Sequence, residues 1–266
     1  MFGKIGKLLR STTFAEVGVY AANAAFFVLL SLFPAMMLLI SLLQYTPLTP
    51  IDLQRVLSVF IPEALSPLLD YMTQELFVAN SVGLISLSAV FAVWSSSRGV
   101  FSLMRGLNRV CGISETRSRL LLRLRSALDT VLLLLALVVT LILHLFGTVL
   151  GSRLRERGMA VIASLFEMKY LFSFAVLSAL FSVFYLRFPN TALRLSQVLP
   201  GAVGTAIGWI IFSSVFTFYI SRTGDYSVYY GSLSVIAMTM LWLYVCMCIF
   251  FYGGLLNYRL SVRKGK

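Results

Sequence analysis

The sequence predicts an all-α, polytopic membrane protein, a single membrane domain over residues 1–266 built as a six-transmembrane-helix bundle. Of the 266 residues, 59% are hydrophobic and only 12% are charged, which is too little charge for the surface of a soluble domain. Long segments, such as 17–51 and 226–258, contain no charged residue. These segments are apolar all round rather than alternating, which favours helices over a transmembrane β-barrel.

Six segments are long enough, or nearly so, to cross about 30 Å of hydrocarbon at 1.5 Å per residue. We predict the spans at 17–44, 81–103, 127–150, 168–188, 199–220 and 231–256. The first span follows three basic residues and is too long for the core of a cleavable signal peptide. Pro34 removes a backbone donor from this span and predicts a helix kink. In the fifth span, Pro200 is expected in the first helical turn.

The connection between the first two spans predicts two amphipathic helices on the outer face. Thr49 is a candidate cap, Pro50 occupies the first helical position, and Leu53, Leu57 and Phe60 fall on one face. A second apolar stripe is formed by Leu65, Leu68, Leu69, Met72 and Leu76. Two interpretations remain open: the helices seal the loop against the bundle, or they form a lid over a substrate entrance.

The distribution of basic residues predicts a bacterial inner-membrane protein with both termini in the cytoplasm. Fifteen of the 22 lysines and arginines fall in segments that are inside in this orientation. Arg153, Arg155 and Arg157 would then lie outside, so the side of 151–167 is the weakest part of this topology. The basic loop 105–125 suits anionic lipid headgroups, with topology signalling as the alternative. It lacks interleaved aromatic residues, so we do not expect nucleic-acid binding.

The three tryptophans are predicted to face the protein interior. Trp94, Trp209 and Trp242 fall near the middle of the second, fifth and sixth spans, where an unpaired indole donor is costly in hydrocarbon. With Thr239, they are candidates for the wall of a central cavity. The alternative for this stripe of the sixth span is a helix-packing seam.

A cation in the second span indicates a polar layer within the inner leaflet. Arg98 lies about 9 Å from the centre of its span toward the cytoplasm, and a buried cation there usually marks an ion pair or a polar path. The candidate layer, or ligand path, consists of Asn23, Ser95, Ser97, Arg98 and Asp129. Arg98 is expected to contact Asp129 or an anionic headgroup, and the alternative is snorkelling to the interface.

No catalytic residue, metal site or cofactor is predicted. His144 is the only histidine, and the ten acidic residues do not form the carboxylate cluster that metal-dependent phosphodiester cleavage requires. The three cysteines do not indicate a disulfide framework. We therefore expect a protein that is not an enzyme.

Several motifs together resemble the YihY / virulence factor BrkB family of bacterial inner-membrane proteins. They are "AAFFVLLSLFP", "WSSSRGVFSLMRGLN", "FPN" followed by "LPGAVGTAIGW", "YYGSLSVIAMTMLWLY" and "GGLLN". The resemblance covers nearly the whole chain in the same order. It implies a six-helix inner-membrane protein with an unsettled activity and a proposed envelope role, in a family where a ribonuclease label was applied mistakenly to some members.

Two positions depart from the family pattern. Leu255 stands where the family often has an acid within the membrane, which puts proton coupling through that position in doubt. Ser234 and Val235 replace a pair of small residues. The favoured function is transport or translocation of an amphipathic or anionic solute, or of an envelope lipid, through a cavity between the first, second, fifth and sixth spans. The alternative is a non-transporting scaffold for envelope assembly. The sequence indicates neither the substrate, the coupling ion nor the oligomeric state.

Overall fold

The computed structural model describes residues 2–43, 49–58, 60–70, 82–133, 135–136, 139, 169–222 and 232–264. Within these ranges the chain forms helices and turns and no strand, so the all-α prediction is confirmed. The longer helices are α1 (Phe2–Leu43), α2 (Pro50–Leu57), α3 (Val82–Val110), α4 (119–133), α5 (Lys169–Arg187), α6 (Leu195–Arg222) and α7 (Ser232–Lys264).

Three of the described helices contain segments long and apolar enough to cross a membrane. These are Glu16–Met37, Leu195–Arg222 and Ser234–Val262, and Ser173–Arg187 in α5 is a shorter apolar helix. The third predicted span, 127–150, lies mostly outside the described residues. The six-span count therefore stays a prediction.

Helix α1 packs along α3 and also contacts α7. The buried side of α1 carries small side chains, because Ala21, Ala24 and Ala25 are fully buried. Gly106 of α3 lies so close to Tyr20 of α1 that a Cβ added there would be 3.0 Å from the Tyr20 Cβ. Small residues on both helices thus allow close approach of the two backbones.

Helix α6 packs between α5 and α7, and a polar seam joins the three helices. The Tyr185 hydroxyl donates to the Phe250 carbonyl at 2.6 Å and lies 2.8 Å from Thr205 Oγ1. The Gly201 N–H donates to Asn257 Oδ1 at 2.7 Å. These hydrogen bonds lower the cost of burying polar groups in the bundle, although Asn257 Nδ2 is buried without a hydrogen-bond partner among the described residues.

Two predictions about prolines meet different outcomes. Helix α6 begins at Leu195, with the Arg194 N–H donating to Gln197 Oε1 at 2.8 Å, so Pro200 lies inside the helix rather than in its first turn. The predicted start of this helix at 199 was too late. The Gln197 side chain accepts a hydrogen bond from the Arg194 N–H and caps the helix, and a hydropathy pattern does not reveal such a cap. Pro34 lies inside α1, which continues past it as one helix, and the kink stays a prediction.

The first helix predicted in this connection is present as α2, and Thr49 caps it; its position on the outer face stays a prediction. Asp52 N–H donates to Thr49 Oγ1 at 3.3 Å, while Thr49 N–H and Oγ1 donate back to Asp52 Oδ2 at 3.0 and 2.7 Å, a reciprocal capping arrangement. Leu53, Leu57 and Leu69 are buried against residues of α1. The second outer helix is described only as a 3₁₀ turn, Glu63–Leu65, that continues helically over 66–70, and Met72 and Leu76 lie outside the described residues.

Candidate functional site: an apolar cavity in the bundle

A cavity of about 260 Å³ lies inside the bundle and is lined almost entirely by apolar side chains. Helices α1, α3, α4, α5, α6 and α7 all contribute to its wall, so it extends beyond the four predicted spans. Its few polar side chains are hydroxyl groups and indoles. They are Ser31, Ser96, Thr130, Thr239, Trp209 and Trp242.

Two of the predicted wall tryptophans are buried and line this cavity. Trp209 is 8% exposed and Trp242 is 3% exposed, and their rings make an edge-to-face contact with centroids 5.5 Å apart. Trp242 Nε1 donates to Ser213 Oγ at 3.1 Å. Thr239 also lines the cavity, and its hydroxyl donates to the Val235 carbonyl within α7.

The outer connection covers one end of the cavity. Trp209 Nε1 donates to the Phe60 carbonyl at 2.9 Å, which ties this connection to α6. The covering residues come from the end of α2, the turn after it and the helical segment that follows. They are Leu57, Phe60, Ile61, Leu65, Leu68 and Leu69. The contact fits both the sealing and the lid interpretations, which remain open.

A second cleft, of about 370 Å³, lies beside the same indole. Trp209, Phe60 and Ile61 line both this cleft and the central cavity. The cleft is more polar, and its hydroxyl groups come from Ser58, Ser173, Ser213, Ser214, Thr217 and Ser221. Trp209 and Phe60 therefore lie where the more polar cleft meets the apolar central cavity.

The prediction that Trp94 faces the interior is wrong. This indole is 50% exposed, does not line the central cavity, and lies 4.1 Å from the Arg98 guanidinium carbon in a cation–π contact. Arg98 is exposed and also lies 6.0 Å from the Phe27 ring. Trp94 thus contacts a cation one turn further along its own helix instead of packing inside the bundle.

The predicted polar layer is not one connected cluster among the described side chains. Asn23 accepts a hydrogen bond from Ser102 at 2.6 Å, and Ser97 donates to the Trp94 carbonyl within its own helix. The side chain of Ser95 lies outside the described part of the chain. A ligand path along these residues stays a prediction.

Of the two contacts predicted for Arg98, the one with Asp129 is wrong, and the one with an anionic headgroup, like the snorkelling alternative, stays a prediction. Asp129 of α4 pairs with Arg187 of α5, whose Nε lies 2.7 Å and whose NH2 nitrogen lies 2.5 Å from Asp129 Oδ1. The Asp129 side chain is only 3% exposed, whereas that of Arg187 is 42% exposed. Sequence reasoning missed Arg187 although the signal was available, since both charges stand at the same end of adjacent apolar runs.

The basic segment 105–125 combines paired and unburied arginines. Arg117 makes a bidentate pair with Glu115 at 2.7 Å, and the Arg117 hydrogen bond is the main cause that holds the pKa of Glu115 below its usual range. Burial raises the pKa of the nearby Cys111 thiol to about 12, so it is protonated and weakly reactive at neutral pH. Arg119 and Arg123 are exposed beside the exposed Leu120 and Leu124.

A metal site is not apparent in the described part of the chain. There, no three His, Cys, Asp or Glu side chains come together as a possible metal-binding group. His144 lies outside the described residues. The expectation of no metal and no cofactor thus stays a prediction.

Comparison with known proteins identifies relatives over nearly the whole chain. The model of the family described as "Virulence factor BrkB" matches residues 8–266. The "Putative ribonuclease-like protein YfkH" of Bacillus subtilis is 34% identical over 249 residues, covering 92% of this chain and 90% of that protein.

Other relatives are called "UPF0761 membrane protein". That of Actinobacillus pleuropneumoniae is 31% identical over 97 residues, or 35% of each chain. That of Alcanivorax borkumensis is 27% identical over 197 residues, covering 73% of this chain and 44% of the relative. The chain thus matches between a third and a half of the length of these two relatives. No solved structure matches the chain.

Proposed function

Because the chain belongs to the Virulence factor BrkB family of membrane proteins, we propose that it translocates an amphipathic or anionic solute, most simply an envelope lipid. The proposal includes a multi-pass protein of the bacterial inner membrane with cytoplasmic termini. We further propose that it is not an enzyme. The ribonuclease-like name belongs to the Bacillus relative and does not itself supply a catalytic group here.

The observation that carries this proposal is the central cavity of about 260 Å³ with its apolar wall. Helix bundles are normally packed to crystal-like density, with few voids larger than a water molecule. An apolar cavity of this size is suited to hydrocarbon rather than to ions or sugars, since it offers few hydrogen-bonding groups. The acyl part of a lipid is the membrane component with that chemistry.

The inner surface supports a lipid partner of the same kind. Arg119 and Arg123 are exposed among exposed leucines at the start of α4. Cations interleaved with apolar side chains suit the boundary between anionic headgroups and acyl chains. We propose that this segment contacts anionic lipid, and no nucleic acid is included among the partners.

Lipid movement in proteoliposomes tests the proposal. The purified protein is reconstituted with acyl-labelled fluorescent phosphatidylglycerol or, separately, phosphatidylethanolamine, and the fraction bleached by external dithionite is measured over time. The wild-type protein should expose inner-leaflet lipid faster than empty liposomes do. Ala35→Phe places a ring in the cavity wall and should slow this phase at least about tenfold if the cavity is the path.

The matched control is Ala237→Phe, the same substitution at an exposed position of α7. It should retain the wild-type rate. Identical rates for wild type, Ala35→Phe and empty liposomes would exclude translocation of these lipids and favour the scaffold alternative. Both variants should keep the thermal midpoint of the parent within a few degrees, which separates blocking from unfolding.

A further inference from the structure

A groove between α4 and α5 combines a hydrocarbon-like wall with one buried charge pair. Its volume is about 280 Å³. At one position the wall carries Asp129 and Arg187; the other described lining residues are apolar. Those from the two helices are Leu132, Leu133, Ala136, Val139, Val176, Ala179, Leu180, Val183 and Phe184. We call this the α4–α5 groove.

The carboxylate of Asp129 is only half satisfied. Oδ1 accepts from Arg187, but Oδ2 is buried and has no hydrogen-bond partner within the described residues. An acceptor carrying charge is costly to leave unpaired in an apolar wall. An occupant of the α4–α5 groove that donates a hydrogen bond, preferably with a positive charge, would remove this cost.

Arg187 supplies the complementary half of a zwitterion site. Its side chain is 42% exposed although its guanidinium is paired with Asp129, so part of the cation remains available to an anion from outside. A phosphate beside Arg187 and an ammonium beside Asp129 Oδ2 would sit next to each other. This is the order of charges in the headgroup of phosphatidylethanolamine.

The apolar lining of the α4–α5 groove would contact the acyl chain of such a lipid. Val139 and Val183 are about half exposed at the side of the groove, which suits an acyl chain arriving laterally from the bilayer. Phe60, Leu133, Leu180 and Phe184 line both the α4–α5 groove and the central cavity. The groove is therefore adjacent to the proposed translocation pathway rather than a remote surface feature.

We propose that the α4–α5 groove binds one phospholipid of the phosphatidylethanolamine class, with its ammonium on Asp129, its phosphate on Arg187 and an acyl chain along the apolar wall. A quaternary choline headgroup has no N–H to donate to the buried Oδ2. A glycerol headgroup donates only a neutral O–H and leaves the phosphate charge unbalanced. The inference rests on the proposed function only in naming a lipid for that pathway, since binding is measurable without transport.

Native mass spectrometry of the detergent-solubilised full chain tests the site. The protein is mixed with equal amounts of phosphatidylethanolamine, phosphatidylcholine and phosphatidylglycerol of the same acyl composition, and the one-lipid adducts are compared. Phosphatidylethanolamine should exceed each of the others by about tenfold, the effect of one charge-assisted hydrogen bond. Equal adducts of the three lipids on the wild-type protein would overturn the proposal.

Two variants distinguish the headgroup site from the groove. Asp129→Asn keeps the side-chain shape and should abolish the preference for phosphatidylethanolamine. Ala179→Phe leaves the ion pair intact but fills the groove, and should lower the adduct of phosphatidylethanolamine at least about fivefold. Ala237→Phe is the matched control and should bind like the wild type. A preference that survives Asp129→Asn, or full binding by Ala179→Phe, would contradict the site.

The binding and transport measurements test the two proposals separately. If phosphatidylethanolamine binds as described but proteoliposomes show no lipid movement, the translocation proposal fails and the groove site stands. If lipid moves but the headgroup preference is absent, the groove site fails and translocation stands. Should Asp129→Asn not fold, the Ala179→Phe variant alone decides, because it does not alter the charge pair.

Discussion

At the scale of single residues, the buried indoles are held by hydrogen bonds as well as by packing. Trp209 donates to a backbone carbonyl of the outer connection at 2.9 Å, and Trp242 donates to a serine of α6 at 3.1 Å. Trp209 also lies 5.5 Å from the ring of Phe181, measured between centroids. The indole of Trp209 therefore does two things, filling the interior and fixing the segment that covers it.

We predict that Trp209→Phe weakens the closure of the cavity. Phenylalanine retains most of the ring but cannot donate to the Phe60 carbonyl, and a lost hydrogen bond of this kind costs about 1 kcal/mol. The thermal midpoint of the detergent-solubilised protein should fall by a few degrees. The same substitution at the half-exposed Trp94 should change it far less. Equal decreases for the two variants would show that the Trp209 hydrogen bond is unimportant.

At this scale the sequence predicts what kind of partner a residue needs, but not which residue that partner is. Position within a span indicated that Trp209 and Trp242 needed shelter, and that Arg98 needed an ion-pair partner, a headgroup or a route to the interface. Helical periodicity specifies faces, not which helix a face meets, so Asp129 was offered as a partner of Arg98, whereas it pairs with Arg187. The prediction for Trp94 was wrong because its ring contacts Arg98, a cation on its own helix, and depth within a span does not reveal such a contact.

At the scale of elements, the contact between α6 and α7 depends on two glycines that meet. A Cβ at Gly253 would overlap the hydroxyl groups of Thr205 and Tyr185, and one at Gly201 would overlap the Gly253 carbonyl and Asn257. Close backbone approach is what allows the buried hydrogen bonds of Tyr185 and Asn257 to form. The two helices thus need small residues at this crossing.

We predict that Gly253→Ala disrupts this crossing. The added methyl group has no free space, and overpacking of this kind costs about 1–3 kcal/mol. Gly204→Ala in α6 is the control, since a Cβ there meets nothing within 4 Å. The thermal midpoint should fall for Gly253→Ala and stay constant or rise slightly for Gly204→Ala, because alanine favours helix. A stable Gly253→Ala variant would mean that the helices do not approach as closely as described.

The described helices α3 and α7 extend beyond the ends of the predicted spans. Predicted spans ended at 103 and 256, whereas α3 extends to Val110 and α7 to Lys264. Hydropathy measures where a segment leaves hydrocarbon, but a helix ends only where its backbone hydrogen bonds do. The turn after α3 illustrates this, since it is set by Gly112 with φ +69° rather than by a change in hydropathy.

At the scale of the whole molecule, three cavities meet at one covering residue. Phe60 lines the central cavity, the hydroxyl-lined cleft and the α4–α5 groove. A polar cleft, an apolar interior and a groove with a charge pair are the parts that the proposed passage of an amphipathic molecule would need. Sequence analysis predicted a cavity but not these neighbours, because a void is a property of how helices pack rather than of any one helix.

A high-resolution density map of the protein in nanodiscs of bacterial phospholipid is the most direct measurement of whether the cavity receives lipid. The account predicts elongated density inside the central cavity, in contact with Trp209 and Trp242, which diminishes in Ala35→Phe and persists in Ala237→Phe. A central cavity closed by repacked side chains in every class of particles, with lipid only around the perimeter, would contradict it.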